Sequence, residues 1–399
     1  MISLELGYIE CDSKQNRTVI KIILIQLESL VITMVSLVIV GIFIATVLYQ
    51  TYKFCIHRPP GFPPGPFRLP FVGSYFLLLL IDRKNLHLAV QKLCNYYKSS
   101  VLGFYVGGSL TVTVNDQKGI REMFANQDID GRNGNFLIAR LREPNYKLHG
   151  IFFTDGDYWN DQRRFALRNL RDFGFGRRFE DFELEVRDEL ESFVAMIKEG
   201  PQYEHERKFL RPGGELLLPK GLVGSLGNCF LQVVSGERIP RAQQTQLYKA
   251  GYGSLDFQRY SNEHGKLFGI IPSLRFLFPG MSDFKKLREN SMAMCDLMKT
   301  VVDQQLATYQ DDHIRSFIDV YVKEINDTKA AGINTGYLYD QLLMICTDFV
   351  FPSLSAIETQ IMFLLLHLLY RADICKKIQD EIDQIVGCGR LPGLDDRVK

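Results

Sequence analysis

One stretch limits what the rest of the chain can be. Residues 29–52, SLVITMVSLVIVGIFIATVLYQTY, carry no charged side chain. As a helix rising ~1.5 Å per residue, the run is long enough to cross a hydrocarbon core of ~30 Å. Buried helices of soluble proteins rarely run so far without a charge, and a cleaved leader has a shorter apolar region behind a basic start. Residues 1–28 instead hold four acids against three Lys/Arg. The pattern predicts a single span, with residues 1–28 lumenal and residues 29–52 as the anchor. Lys53, Arg58 and Arg68 follow with no acid nearby, which puts the bulk of the chain on the cytosolic side. The sequon Asn16-Arg17-Thr18 agrees with that orientation.

Beyond the anchor the chain has an ordinary globular composition. With 47 Lys+Arg against 46 Asp+Glu there is no basic field for nucleic acid, and 46% apolar residues can bury a substantial core. The eight Cys are scattered, with no CxxC and no Cys/His cluster at zinc spacing, so a structural metal site is not expected. Reduced thiols in a cytosol-facing domain fit this pattern.

Residues 57–74, HRPPGFPPGPFRLPFVGS, are a stiff, extended connector, because each Pro fixes φ and withholds a donor. Placed directly after a basic-flanked N-terminal span, this stretch resembles the proline-rich hinge of microsomal cytochrome P-450 enzymes, insect members included. The division that follows is a hinge over 53–74 and a partial catalytic domain over 75–399.

Leu86 to Tyr97 has apolar residues at helical spacing, and VLGFYV and SLTVTV flank Gly107-Gly108, a hairpin signature. Asn115 or Asp116 can cap a helix running through Phe124. Together with the helices expected downstream, the fold class is mainly α with a small β-sheet region, and the helix, hairpin, helix order is similar to the family's N-terminal sheet region.

Residues 150–176, GIFFTDGDYWNDQRRFALRNLRDFGFG, hold the only Trp. Asp155-Gly156-Asp157 offers cap and turn chemistry, and Gly174 and Gly176 end the helical pattern after Leu170. Trp159 and Arg163, spaced i,i+4, therefore project from one side. The segment resembles the family's C helix along its whole length, whose WxxxR pair hydrogen-bonds a haem propionate. A carboxylate suits a guanidinium fork, and an indole adds a donor on a large apolar body. Arg132, in DGRNG, matches a second propionate-binding Arg. NCFLQVVSGER (228–238), IPSLRFLFPG (271–280) and RSFIDVYVKE (315–324) resemble, in order, the E-helix segment, the loop before the G helix and the approach to the I helix.

A long helical pattern over about Tyr337 to Tyr370 corresponds to the I helix, which crosses the distal face of the haem, and KKIQDEIDQIVG (376–387) resembles the J region. Counting from Asp348, the family's A-G-x-[DE]-T positions become Pro352, Ser353, Leu354, Ser355 and Ala356. The Thr hydroxyl is replaced by Ala356, and Pro352 predicts a kink with a freed Asp348 carbonyl. Ser353 and Ser355, with Asp348, are the candidate distal residues. Glu358-Thr359 could face the haem in a rotated register, and the serines could instead bond only to their own helix backbone.

The ExxR helix and the FxxGxRxC loop, whose Cys thiolate ligates iron, do not occur before Lys399, so no axial ligand is expected here: the sequence is a fragment or a truncated product. The resemblance implies haem as cofactor and an NADPH-dependent flavoprotein reductase as electron donor. It further implies O₂, an apolar small-molecule substrate that contacts the loop from Gly131 to His149, and the endoplasmic reticulum membrane. Two other outcomes are an anchored, haem-free protein without catalysis and a haem-dependent isomerase or dehydratase of peroxides.

Overall fold

The computed structural model describes residues 2–132, 136–142, 147–176, 178–261, 276, 284–333 and 336–398. The segment IPSLRFLFPG, apart from Phe276, lies outside them. The chain divides into two compact units, residues 1–120 and 121–399.

In the first unit, helix α1 (Ile2–Ile56) contains the apolar run and begins far upstream of the expected anchor boundary. Its Thr33, Ser36 and Thr46 hydroxyls bond to carbonyls one turn back, so polar side chains in the apolar stretch are satisfied by the helix itself. The proline-rich connector is pinned to the end of α1. Arg68 donates through Nε to the Phe54 carbonyl at 2.8 Å and stacks over the Phe54 ring at 3.7 Å, while Arg58 donates to the carbonyls of Pro63, Gly65 and Pro66. Two short helices, α2 (Tyr75–Ile81) and α3 (Leu86–Tyr97), then precede the antiparallel hairpin β1 (Val101–Val106) and β2 (Ser109–Val114). Gly107, at φ 60, makes the two-residue turn that the Gly-Gly pair specifies. Leu78, Leu93, Leu102 and Phe104 form the small core. Asp116 caps α4 (Gln117–Ala125), its Oδ2 accepting from Gly119 N at 3.3 Å.

The second unit is mainly helical: α5 (Phe136–Arg142), α6 (Gly156–Leu170), α7 (Glu180–Glu199), α8 (Val223–Ser235), α9 (Thr245–Ser261), α10 (Phe284–Ala307), α11 (Phe317–Ala330), α12 (Tyr339–Tyr370) and α13 (Ala372–Ile385). Its sheet is minimal, β3 (Leu210–Arg211) against β4 (Glu215–Leu216). The core packs α12 against α8, α10 and α11 through Cys346 and Val350, Leu231 and Val234, Met298 and Val302, and Phe317 and Tyr321. Among the described residues two helices are long and apolar enough to cross a membrane, Ile25–Ile56 of α1 and α12. None of the apolar window of the α1 run is buried, whereas residues 341–351 of α12 are all buried, which makes the first half of α12 a core helix. It stays helical through Pro352.

Candidate functional site

The loop entering α6 is bolted to α12 by side chains from both. Gln341 exchanges two hydrogen bonds with Gly150, its Oε1 accepting from Gly150 N at 2.8 Å and its Nε2 donating to Gly150 O at 3.2 Å. Asp348 Oδ2 accepts from Ile151 N at 2.8 Å and Phe152 N at 2.9 Å, and Oδ1 is ion-paired with Arg142 of α5. Gly150 has φ +86, and a β-carbon there would collide with the Asp348 carboxylate, so only glycine fits. Burial pushes the Asp348 carboxyl above the usual range, while Arg142 and the two N–H groups pull it down.

Trp159 is buried, and its indole N–H donates to the Ile151 carbonyl at 2.9 Å. The i,i+4 pair does share one face: the Arg163 guanidinium lies over the indole, 5.1 Å from its centroid. Arg163 itself is exposed and has no hydrogen-bond partner among the described residues. It lines a charged groove with Gln127, Asp130, Asp157 and three further arginines of this region, Arg164, Arg168 and Arg171. Arg132 is also exposed, next to Gly131, which packs on the Asp155 side chain at the start of α6. Asp155 occupies the N-cap position with extended backbone, but its side chain makes no capping bond.

Beside this lock lies a cavity of about 430 Å³. Phe152 and Phe153 of the loop, Phe257 of α9 and Met294 of α10 face Thr347, Asp348, Phe351 and Pro352 of α12 across it. Arg142 lies within the Gly131–His149 loop expected to contact substrate, of which residues 133–135 and 143–146 fall outside the description. Ser355 is fully buried. Its hydroxyl bonds the Phe351 carbonyl at 3.0 Å and lies 2.9 Å from Ser254 Oγ of α9, which is itself 3.1 Å from the same carbonyl. Three contacts share two protons, so one serine donates to Phe351 while the other donates to it, and the roles can exchange. Ser353 is half-buried and Ala356 exposed. Glu358 is 2% exposed, with Oε2 unpartnered among the described residues, and burial pushes its carboxyl up to about 7.

Haem needs an apolar face, small side chains beside iron and cations for its propionates. The exposed Ala356 and Ile357 on α12, near the half-buried Ser353, supply the first two, and the open guanidinium of Arg163 suits the third. Trp159 fits as the platform that orients Arg163, because its own donor is spent on Ile151. No cluster of three or more His, Cys, Asp or Glu able to hold a metal occurs among the described residues. Cys346 is buried in the core, and both burial and the nearby Asp348 push its thiol upward, away from the thiolate a metal requires.

The lock, the cavity and residue-level expectations of the glycine, serine and arginine positions did not come equally from the chain. The Gly150, Arg142 and Ser254 roles carried no sequence signal, since their partners are 97 to 206 positions away. Comparison with known proteins gives the context. The family model described as Cytochrome P450 matches residues 63–399. The chain is 26% identical over 343 residues to human Cytochrome P450 2J2, covering 84% of this chain and 62% of that protein. It is 26% identical over 345 residues to Farnesoate epoxidase of Bombyx mori, covering 86% and 66%. It is 30% identical over 376 residues to Probable cytochrome P450 303a1 of Drosophila melanogaster, covering 89% and 69%. The chain thus spans less than two thirds of the human and silkworm relatives' length. With a match that takes in α12, the cavity and the Trp159–Arg163 pair, the chain belongs to the cytochrome P450 family.

Proposed function

We propose that the protein, with its haem, is a membrane-anchored monooxygenase that oxidises an apolar small molecule held in the α12 cavity. The cavity carries the proposal: half of its lining residues are phenylalanine or methionine, and it borders the helix that resembles the distal wall of a haem site. Members of the family bind haem, which, bound through a thiolate, supplies the chemistry that cleaves dioxygen and oxidises the substrate.

Arg163 and Arg132 hold the propionates, and Trp159 keeps the Arg163 guanidinium in place. Asp348 fixes the loop at Gly150–Phe152, which shapes one wall of the cavity. The Ser254–Ser355 pair, whose two hydroxyls can exchange donor roles, moves a proton from Ser355 of α12 to Ser254 of α9, which lines the cavity. A flavoprotein reductase in the same endoplasmic reticulum membrane supplies electrons from NADPH, and the exposed Arg164 and Arg168 of α6, with Arg171 just after it, give a basic surface for an acidic partner.

The lack of a hydroxyl at Ala356 favours a second reaction class, rearrangement or dehydration of a peroxide without external electrons. The haem-loaded complete protein distinguishes the two. Substrate turnover that requires both NADPH-reductase and O₂ supports monooxygenation, and turnover of an organic hydroperoxide without reductase rules it out as the main activity.

A further inference from the structure

A file of contacts joins Asp348 of α12 to Arg163 of α6 through one peptide group. Asp348 Oδ2 accepts from Phe152 N at 2.9 Å, and the carbonyl of that same peptide, Ile151 O, accepts from the Trp159 indole N–H at 2.9 Å. The Arg163 guanidinium lies over the indole, 5.1 Å from its centroid. The carboxylate is itself kept from turning, by Arg142 on Oδ1 and by Ile151 N on Oδ2 at 2.8 Å. Arg163 is exposed, and an exposed arginine samples many rotamers, so whatever narrows them decides how often its guanidinium is in place.

We propose that Asp348 is a positioning residue for haem binding: through the Ile151–Phe152 peptide and the Trp159 indole it holds the Arg163 guanidinium where a propionate meets it. The inference rests on the reading above of Arg163 as a propionate partner. Two effects act along the file. By taking the Ile151 and Phe152 N–H groups, the carboxylate fixes the tilt of the peptide and aims its carbonyl at the indole. A peptide whose N–H is bound to an anion also has a more negative carbonyl oxygen, and an indole donating to that oxygen carries more negative charge on its ring face. That face is the one to which a guanidinium is drawn. The helix that borders the cavity therefore also sets the cation offered to the haem.

The test compares Arg142→Met/Asp348→Leu, which removes the acceptor without stranding a buried charge, with Arg142→Met/Asp348→Asn, which keeps an amide oxygen for the same two N–H groups. Trp159 is the only Trp of the 399 residues, so ultraviolet resonance Raman of the chain in detergent micelles reads its indole N–H bond alone. The indole band should report a weakened hydrogen bond in the Leu variant and an unaltered one in the Asn variant. In the complete protein, the affinity for haem is set against that for haem dimethyl ester, whose propionates carry no charge. The preference for haem should fall roughly three- to fivefold in the Leu variant, the size of an exposed charge pair, and as far in Arg163→Ala. Combining the two should cost nothing more, because both break one file. An unchanged band in the Leu variant, equal loss of preference in the Leu and Asn variants, or additive losses with Arg163→Ala would each overturn the positioning role. A preference that Arg163→Ala leaves unaltered would overturn the propionate reading instead, and the Raman band would still decide whether Asp348 reaches Trp159. Circular dichroism checks the fold of the double variants. Trp159→Phe leaves the ion pair intact and should lower the preference as the Leu variant does, so an unchanged preference there overturns the file even if a double variant fails to fold.

Discussion

Gly150 and Asp348, 198 positions apart in the chain, sit so close that no β-carbon can stand between them. The contact fixes the loop ahead of α6 to α12 and decides the shape of the cavity. Gly150→Ala adds both the overlap and the strain of φ +86. The expected loss is about 3 kcal/mol by chemical denaturation, summing strain of ~1–2 kcal/mol with weakened hydrogen bonds to Asp348. Proteolysis within residues 147–154 should speed up in parallel.

Removing one member of the buried ion pair should cost more than removing both. Arg142→Met leaves Asp348 buried and uncompensated, a loss of about 3–5 kcal/mol, whereas Arg142→Met/Asp348→Leu should recover most of it. The denaturation midpoints of the two variants check the order.

Trp159 and Arg163 separate stability from cofactor binding. Trp159→Phe deletes the donor to Ile151 and should cost about 1 kcal/mol. Arg163→Ala, at an exposed side chain, should change stability by less than about 0.5 kcal/mol while weakening haem retention in the complete protein. Haem content after gel filtration, set beside a denaturation curve, checks both halves.

Glu358 gives the fold a pH dependence of defined sign. Its carboxyl is raised by burial from 4.5 to about 7, so the folded state binds the proton more tightly than the unfolded state does. Its contribution is fully present below pH ~4.5 and is lost as pH rises through about 7, by up to about 3 kcal/mol. Glu358→Gln, which cannot ionise, should flatten the fall in thermal midpoint across that window. An unchanged slope would assign the dependence to another group.

Phe71 closes a tight turn in which Val72 N bonds Pro70 O at 2.8 Å, and it holds φ 65 with its ring 84% exposed. Positive φ is costly for a residue of this size and free for glycine. Phe71→Gly should therefore stabilise the first unit by about 1 kcal/mol, measured by hydrogen exchange at the β1 amides.

Elements with a strong local period were legible in the sequence. Leu86–Tyr97, the Gly107-Gly108 hairpin and the end of α6 before Gly174 all came from apolar spacing and turn chemistry, and the structure has them at those positions. The start of α1 was not legible, because residues 2–28 lack the apolar run that marked the anchor. Trp159 and Arg163 could be placed on one face from their spacing, but the acceptor of the indole N–H could not, since it depends on how the loop folds back at Ile151. Asp348 entered as a candidate distal residue and as the position from which the motif was counted. Its partners, Arg142 and the Gly150–Phe152 backbone, are set by tertiary packing that no local pattern encodes.

The most direct test of the α12 cavity as the substrate site is the ligand-induced shift of the haem absorbance in the complete protein, compared with Thr347→Trp. Thr347 lines the cavity of about 430 Å³, and an indole there would take up part of it and crowd any ligand that fills the rest. The expected result is that methyl decanoate perturbs the haem spectrum of the unaltered protein and leaves that of Thr347→Trp unchanged at equal haem content. An equal spectral shift in both proteins would contradict the assignment.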